Sequence, residues 1–174
     1  MRWQGVCYRA HDPRWAFSPI SGDGAAARGG RFNPAGVPAL YLALTIDGMF
    51  AEMGHGFPHR FDPLTVCAYD ADVEDVVDLR HPEGRLAAGV TLDTLACPWA
   101  LDRVEGRTPA SWRVATHLIA AGAAGILVPS FAVGAKTDAA NLVLWRWGAE
   151  PPHKVTVFDP SGQLPIDQSS WPSG

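Results

Sequence analysis

Residues 28–52, RGGRFNPAGVPALYLALTIDGMFAE, constrain this chain more than any other stretch. Two glycines between Arg28 and Arg31 permit backbone shapes and close approaches that other residues resist. Asn33-Pro34 and Gly36 mark a turn. Ala39 to Leu44 then reads as a strand with Tyr41 in its middle, and Thr45 caps a helix running to about Met53. Ile46, Met49, Phe50 and Met53 fall on one stripe of that helix, and Gly54 and Gly56 end it. It delivers a single carboxylate, Glu52. Cations, an aromatic ring and an acid thus converge within one turn–strand–helix unit. A phosphorylated substrate carrying a positively charged ring would need that set.

The remaining elements follow the same kind of reading. Gly5 to Ala10 reads as a first strand with Tyr8 and Arg9 on opposite faces. His11 to Gly30 reads as a long irregular stretch, of the kind that is functional or mobile inside a compact domain. Its GDGAAA has the letters of a dinucleotide-binding turn but lacks the preceding strand and the helix straight after, so that reading is rejected. Leu64 to Tyr69 and Val73 to Leu79 read as two strands joined by an acidic link, and Leu92 to Ala96 as a short helix. Thr108-Pro109 opens a helix that runs to about Ala121, with Trp112, Ala115, Leu118 and Ile119 as its buried stripe. Strands are expected at Ala124 to Val128, Asn141 to Trp147 and Lys154 to Phe158. The pattern predicts one compact α+β domain over residues 1–158, with a mostly antiparallel sheet and few short helices. Residues 159–174, rich in Pro, Gly and Ser, read as a loosely ordered tail.

With 174 residues, 47% of them hydrophobic, the chain is long enough for one real core. Its net charge of −4 argues against a general nucleic-acid binder. Cys7, Cys67 and Cys97 are too scattered for a metal or disulfide framework, which suits a reducing cytoplasm. The start of the chain lacks a signal-peptide core, and no apolar run is long enough for a membrane span. A soluble cytoplasmic protein is expected. His55 and His59 are separated by Gly56 and Pro58, which forbid the helix that would align them on a metal. Asp70, Asp72, Glu74, Asp75 and Asp78 lack the glycine and final glutamate of a calcium loop, and read as a solvated strand edge. No metal is expected.

Each remaining candidate has a plain alternative. Arg28 and Arg31 flank a glycine pair whose N–H groups can cradle phosphate, and arginine grips phosphate with two prongs. A solvated surface loop explains Arg28 equally well. Arg31 leads into the strand and is expected to point at a ligand. Tyr41 can stack on a planar cation, although periodicity alone places it in the core. Glu52 lies near an apolar stripe, either at its solvent margin or in a cleft where it would stabilise charge developing on a sugar. Ser130 follows Val128-Pro129 without a nucleophile elbow. It and Asn141 read as hydrogen-bonding groups or as turn residues.

Together, Tyr8-Arg9, GGRFNPAG, ALYLA, Glu52, the serine of VPS and Asn141 resemble the RES domain family, from about Val6 to Phe158. That family is named for an arginine, a glutamate and a serine, and its members are typically toxins of bacterial toxin–antitoxin pairs. The resemblance implies a sheet core like that of ADP-ribosyltransferases and an activity that consumes NAD. By position Arg31, Glu52 and Ser130 match the three name-giving residues. Tyr41 matches the tyrosine expected near nicotinamide, and Arg9 the basic residue after the first tyrosine. Arg31, Glu52 and Tyr41 are therefore the expected catalytic set, with Arg9, Arg28, Arg31, Tyr41, Ser130 and Asn141 binding NAD. Phe32 stands where family members often have Trp. The expected partners are an Xre-like antitoxin that occludes the cleft and a protein that accepts ADP-ribose. Water or phosphate as acceptor, which would make the protein an NAD glycohydrolase or phosphorylase, and a non-catalytic nucleotide-binding module are the competing readings. A glycosidase would need a second carboxylate beside Glu52.

Overall fold

The computed structural model describes residues 1–53 and 63–169. The expected helix stop at Gly54 and Gly56, and the rejected pair His55 and His59, lie outside the described residues. The strands are β1 (Trp3–His11), β2 (Leu40–Ala43), β3 (Thr65–Val73), β4 (Val76–Asp78), β5 (Gly125–Pro129), β6 (Ala140–Leu144) and β7 (His153–Val157). The α-helices are α1 (Asp23–Arg28), α2 (Ile46–Met53), α3 (Pro82–Ala87), α4 (Leu92–Leu95), α5 (Trp99–Val104) and α6 (Ala110–Ala120), with a 3-10 turn at Pro13–Trp15. All seven strands form one sheet in the order β4-β5-β6-β2-β1-β3-β7. Only the β4–β5 pairing is parallel, so the domain is α+β with a mostly antiparallel sheet, as the pattern predicts.

Several local expectations are corrected. The stretch from His11 to Gly30 contains the 3-10 turn and α1, so its second half is not irregular. The acidic link between two strands lies later and is shorter than expected: only Glu74 and Asp75 separate β3 from β4. β3 runs through Asp70 and Asp72 because Tyr69, Ala71 and Val73 alternate with them toward the core. β3 is not an edge, since it lies between β1 and β7. On α2, Met49 is buried, whereas Ile46 and Phe50 remain exposed, so the apolar stripe is only partly covered. The segment after β7 is tied down in part. Asp159 accepts the backbone N–H groups of Gln163 and Leu164, and Leu164 packs on the core.

The sheet has two unlike faces. One carries Cys7, Leu42, Tyr69, Leu142 and Val155, closed by Ile20, Trp147 and Leu164. The other carries Ile126, Val128 and Val143 beneath α6, which packs Ala115 and Leu118 onto them. On this second face α2 sits over Tyr8, Ala10 and Ala43 through Met49. Thr45 caps α2 by accepting the Gly48 N–H at 3.0 Å, which fixes where the helix starts and therefore where Glu52 falls.

Candidate functional site

The glutamate, serine and asparagine picked from the sequence meet. Ser130 at the end of β5 donates its hydroxyl to Glu52 Oε1 at 2.7 Å. Asn141 on the neighbouring strand β6 donates Nδ2 to the same oxygen at 2.6 Å. β5 and β6 pair with Val128 opposite Asn141, so the sheet register brings both donors to one end of the sheet. Ser130 Oγ also accepts the Ala132 N–H, which sets the hydroxyl's direction. Glu52 Oε2 has no hydrogen-bond partner among the described residues. One oxygen of the carboxylate is fixed and, among the described residues, the other is offered.

Arg31 enters from the turn between α1 and β2. Its Nη1 donates to the carbonyls of Leu95 and Cys97 at 3.2 and 2.8 Å, and its guanidinium lies 4.8 Å from the centre of the Phe131 ring. Burial lowers its pKa, while Cys97, Glu52 and Tyr41 act in the opposite direction, so Arg31 feels the Glu52 charge. The Nε–Nη2 edge has no protein partner among the described residues. That edge is the prong pair that grips Asp72 from Arg2 and Asp78 from Arg80. At Arg31 it is available to an oxyanion of similar geometry.

The turn itself is held by side chains from distant elements. Trp112 Nε1 donates to the Gly30 carbonyl at 2.7 Å, Ser111 Oγ to the Arg31 carbonyl at 2.6 Å and Trp145 Nε1 to the Phe32 carbonyl at 2.9 Å. The Tyr41 hydroxyl accepts the Phe32 N–H at 3.0 Å and donates to Asn33 Oδ1 at 2.7 Å. Burial pushes the Tyr41 phenol well above its usual range, so it stays neutral. Asn33 is fully buried and gives Nδ2 to the carbonyls of Ala25 and Val37. Gly29 has φ +70°, and a Cβ on Gly30 would stand 2.6 Å from the Tyr41 oxygen, so both glycines are required. Phe32 is buried beside Phe131. Tyr41 thus serves the turn through its hydroxyl and leaves only its ring for a ligand.

Two candidates are not brought to this cluster. Tyr8 faces α2, so its neighbour Arg9 emerges on the opposite face of the sheet, where Nη1 donates to the carbonyls of Pro19 and Ser21. Arg28 ends α1 at the surface, where its carbonyl accepts from Arg103, and no contact links its guanidinium to Glu52. Sequence reasoning did not single out Phe131, Trp145, Ser111 or Cys97 as parts of the site. A cleft of about 700 Å³ between Ser18–Asp23 and Trp145–His153 contains none of Arg31, Tyr41, Glu52, Ser130 or Asn141. The candidate site is taken at Glu52 on its hydrogen-bond geometry beside the half-buried Arg31, rather than on cleft volume. Among the described residues no group of three or more His, Cys, Asp or Glu could hold a metal, and no helix is long and apolar enough to cross a membrane.

Comparison with known proteins gives a family and a fold. A family model described as the RES domain matches residues 6–167. The chain is also similar to a chain in the crystal structure of the M. tuberculosis MbcT-MbcA toxin-antitoxin complex, at 24% identity and a TM-score of 0.59. That similarity covers 91% of this chain and 84% of the other. No curated protein matches the chain.

Proposed function

Since this chain belongs to the RES domain family, we propose that it is the toxin of a toxin–antitoxin pair, cleaving the nicotinamide–ribose bond of NAD and passing ADP-ribose to a protein acceptor. The observation that carries this reading is the Glu52 carboxylate, held through Oε1 by Ser130 and Asn141 with Oε2 open and the Arg31 cation nearby. Departure of nicotinamide builds positive charge on the ribose. A carboxylate already fixed in place stabilises that charge without reorganising as it forms. Ser130 and Asn141 act by holding Glu52 in that orientation.

Arg31 supplies the anion site of the proposal. Its open Nε–Nη2 edge is suited to two oxygens of the pyrophosphate, while the two carbonyls and Phe131 keep it from swinging onto Glu52. Tyr41 contributes a ring face for the cationic pyridinium, its hydroxyl being committed to the turn. Arg28, exposed one turn away, is the candidate for an outer phosphate contact. We assign Arg9 to the scaffold. An Xre-like antitoxin that covers Arg31 and Glu52 is the proposed partner, supported by the toxin-antitoxin complex among similar structures. The proposed setting is the cytoplasm, where NAD is available.

The test is to incubate the purified protein with NAD labelled in its ADP-ribose part, alone, with inorganic phosphate and with cell extract, following nicotinamide and label. Release of nicotinamide with label on a protein band, both lost in Glu52→Gln, is the expected result. Label on free or phosphorylated ADP-ribose would replace the protein acceptor with water or phosphate. Absence of nicotinamide under all three conditions would overturn the reading.

A further inference from the structure

Among the described residues two polar side chains are fully buried, Asn33 and Ser111, and both serve the turn that carries Arg31. Asn33 belongs to that turn. Ser111 comes from the first turn of α6, where an alanine would suit the helix better and bury no hydroxyl. Its Oγ donates to the Arg31 carbonyl at 2.6 Å and accepts from Cys97 Sγ at 3.3 Å. Cys97 in turn accepts Arg31 Nη1 on its carbonyl at 2.8 Å and the Ser111 N–H on its sulfur at 3.5 Å. These bonds close a circuit. It runs from the Arg31 guanidinium to Cys97, through the thiol to Ser111, and back to the backbone of Arg31.

We propose that Ser111 and Cys97 are positioning residues that set the direction of the Arg31 guanidinium and thereby its affinity for phosphate. The inference rests on the reading that Arg31 binds a phosphate of the substrate. A side chain with several rotatable bonds is aimed only if both of its ends are fixed. Here the Ser111 hydroxyl fixes the backbone end and the Cys97 carbonyl fixes the head. The thiol ties the two anchors together, so a shift of one is transmitted to the other. Without Ser111 the Arg31 carbonyl loses its donor in a buried setting, and the turn must rotate to satisfy it. Neither residue touches Glu52 through any described hydrogen bond, so the effect reaches chemistry only through Arg31.

Inorganic pyrophosphate is the probe, titrated into wild type, Ser111→Ala and Cys97→Ala while the Arg31 Nε–Hε resonance is followed, assigned by its loss in Arg31→Lys. In Ser111→Ala the resonance is expected to move before any ligand is added, and pyrophosphate to bind about tenfold more weakly, the loss of about one hydrogen bond. Cys97→Ala, which removes a weak thiol donor, is expected to weaken binding about threefold. The Arg2 and Arg80 resonances should stay in place, which general loosening would not allow. A folded Ser111→Ala with an unmoved Arg31 resonance and wild-type affinity would overturn the proposal. Should Ser111→Ala fail to fold, the same two outcomes in Cys97→Ala decide it. If wild type itself ignores pyrophosphate, the phosphate role of Arg31 fails, while the unliganded spectra still decide the positioning.

Discussion

Arg9 and Arg31 are held in nearly the same way but in different surroundings. Each gives Nη1 to two carbonyls two residues apart, Pro19 and Ser21 for Arg9, Leu95 and Cys97 for Arg31. In each, burial lowers the pKa first of all. What differs is the company. Arg9 faces the neutral Tyr69 hydroxyl and Cys67 thiol on the sheet face closed by Ile20, Trp147 and Leu164. Arg31 faces Phe131 and the Glu52 charge on the other side. On the proposed function, the same guanidinium–carbonyl contact is a strut at Arg9 and a pedestal at Arg31, where a carboxylate lies nearby.

Paired substitutions sharpen that contrast. Arg31→Ala should raise the KM for NAD by about a hundredfold, the loss of a charge-assisted two-pronged contact, with a small change in Tm. Arg9→Ala should do the reverse, lowering stability by about 2–3 kcal/mol and leaving KM near wild type. Denaturant unfolding and steady-state kinetics on both variants check this, and a crossed result would merge the two roles. Gly30→Ala should also cost about 2 kcal/mol or more, because its Cβ must displace the Tyr41 hydroxyl. Its KM should rise with that of Arg31→Ala, since it disturbs the same turn.

The smallest expected effect belongs to the Arg9 side and depends on pH. Burial, with Arg9 as the next cause, pushes His11 down to about 4. The unfolded chain therefore takes up this proton first as pH falls. The His11 contribution is complete above its ordinary 6.5 and is lost progressively between 6.5 and about 4. Because the ring is only partly buried, solvent screening holds the contribution to about 1 kcal/mol, less than a full one-unit shift of roughly 1.4 kcal/mol. Stability curves of wild type and His11→Gln should converge across that window, and parallel curves would show that His11 is not the group concerned.

The turn–strand–helix unit was legible because its signals are local: a glycine pair, Asn33-Pro34, alternation around Tyr41 and the Thr45 cap. What holds it is not local. Ser111, Trp112 and Trp145 bind backbone carbonyls 80, 82 and 113 residues away in sequence, and nothing around them marks that task. α1 was hidden because Gly22 and Gly24 bracket its start and a helix of 6 residues is too short to show a period. The acids of β3 suggested a break, yet Tyr69, Ala71 and Val73 kept the strand's alternation intact. Ser130 and Asn141 carried no chemistry of their own in the sequence. Their joint hold on one oxygen of Glu52 depends on the β5–β6 register, which only the folded sheet supplies.

The most direct measurement is the rate of nicotinamide release from NAD by wild type and by Glu52→Gln, with NAD binding and Tm measured on the same samples. The account predicts release by wild type and a drop of about a hundredfold or more in the variant, with binding and Tm nearly unchanged. Equal rates in the two proteins would contradict it, because the fixed carboxylate would then have no part in the reaction.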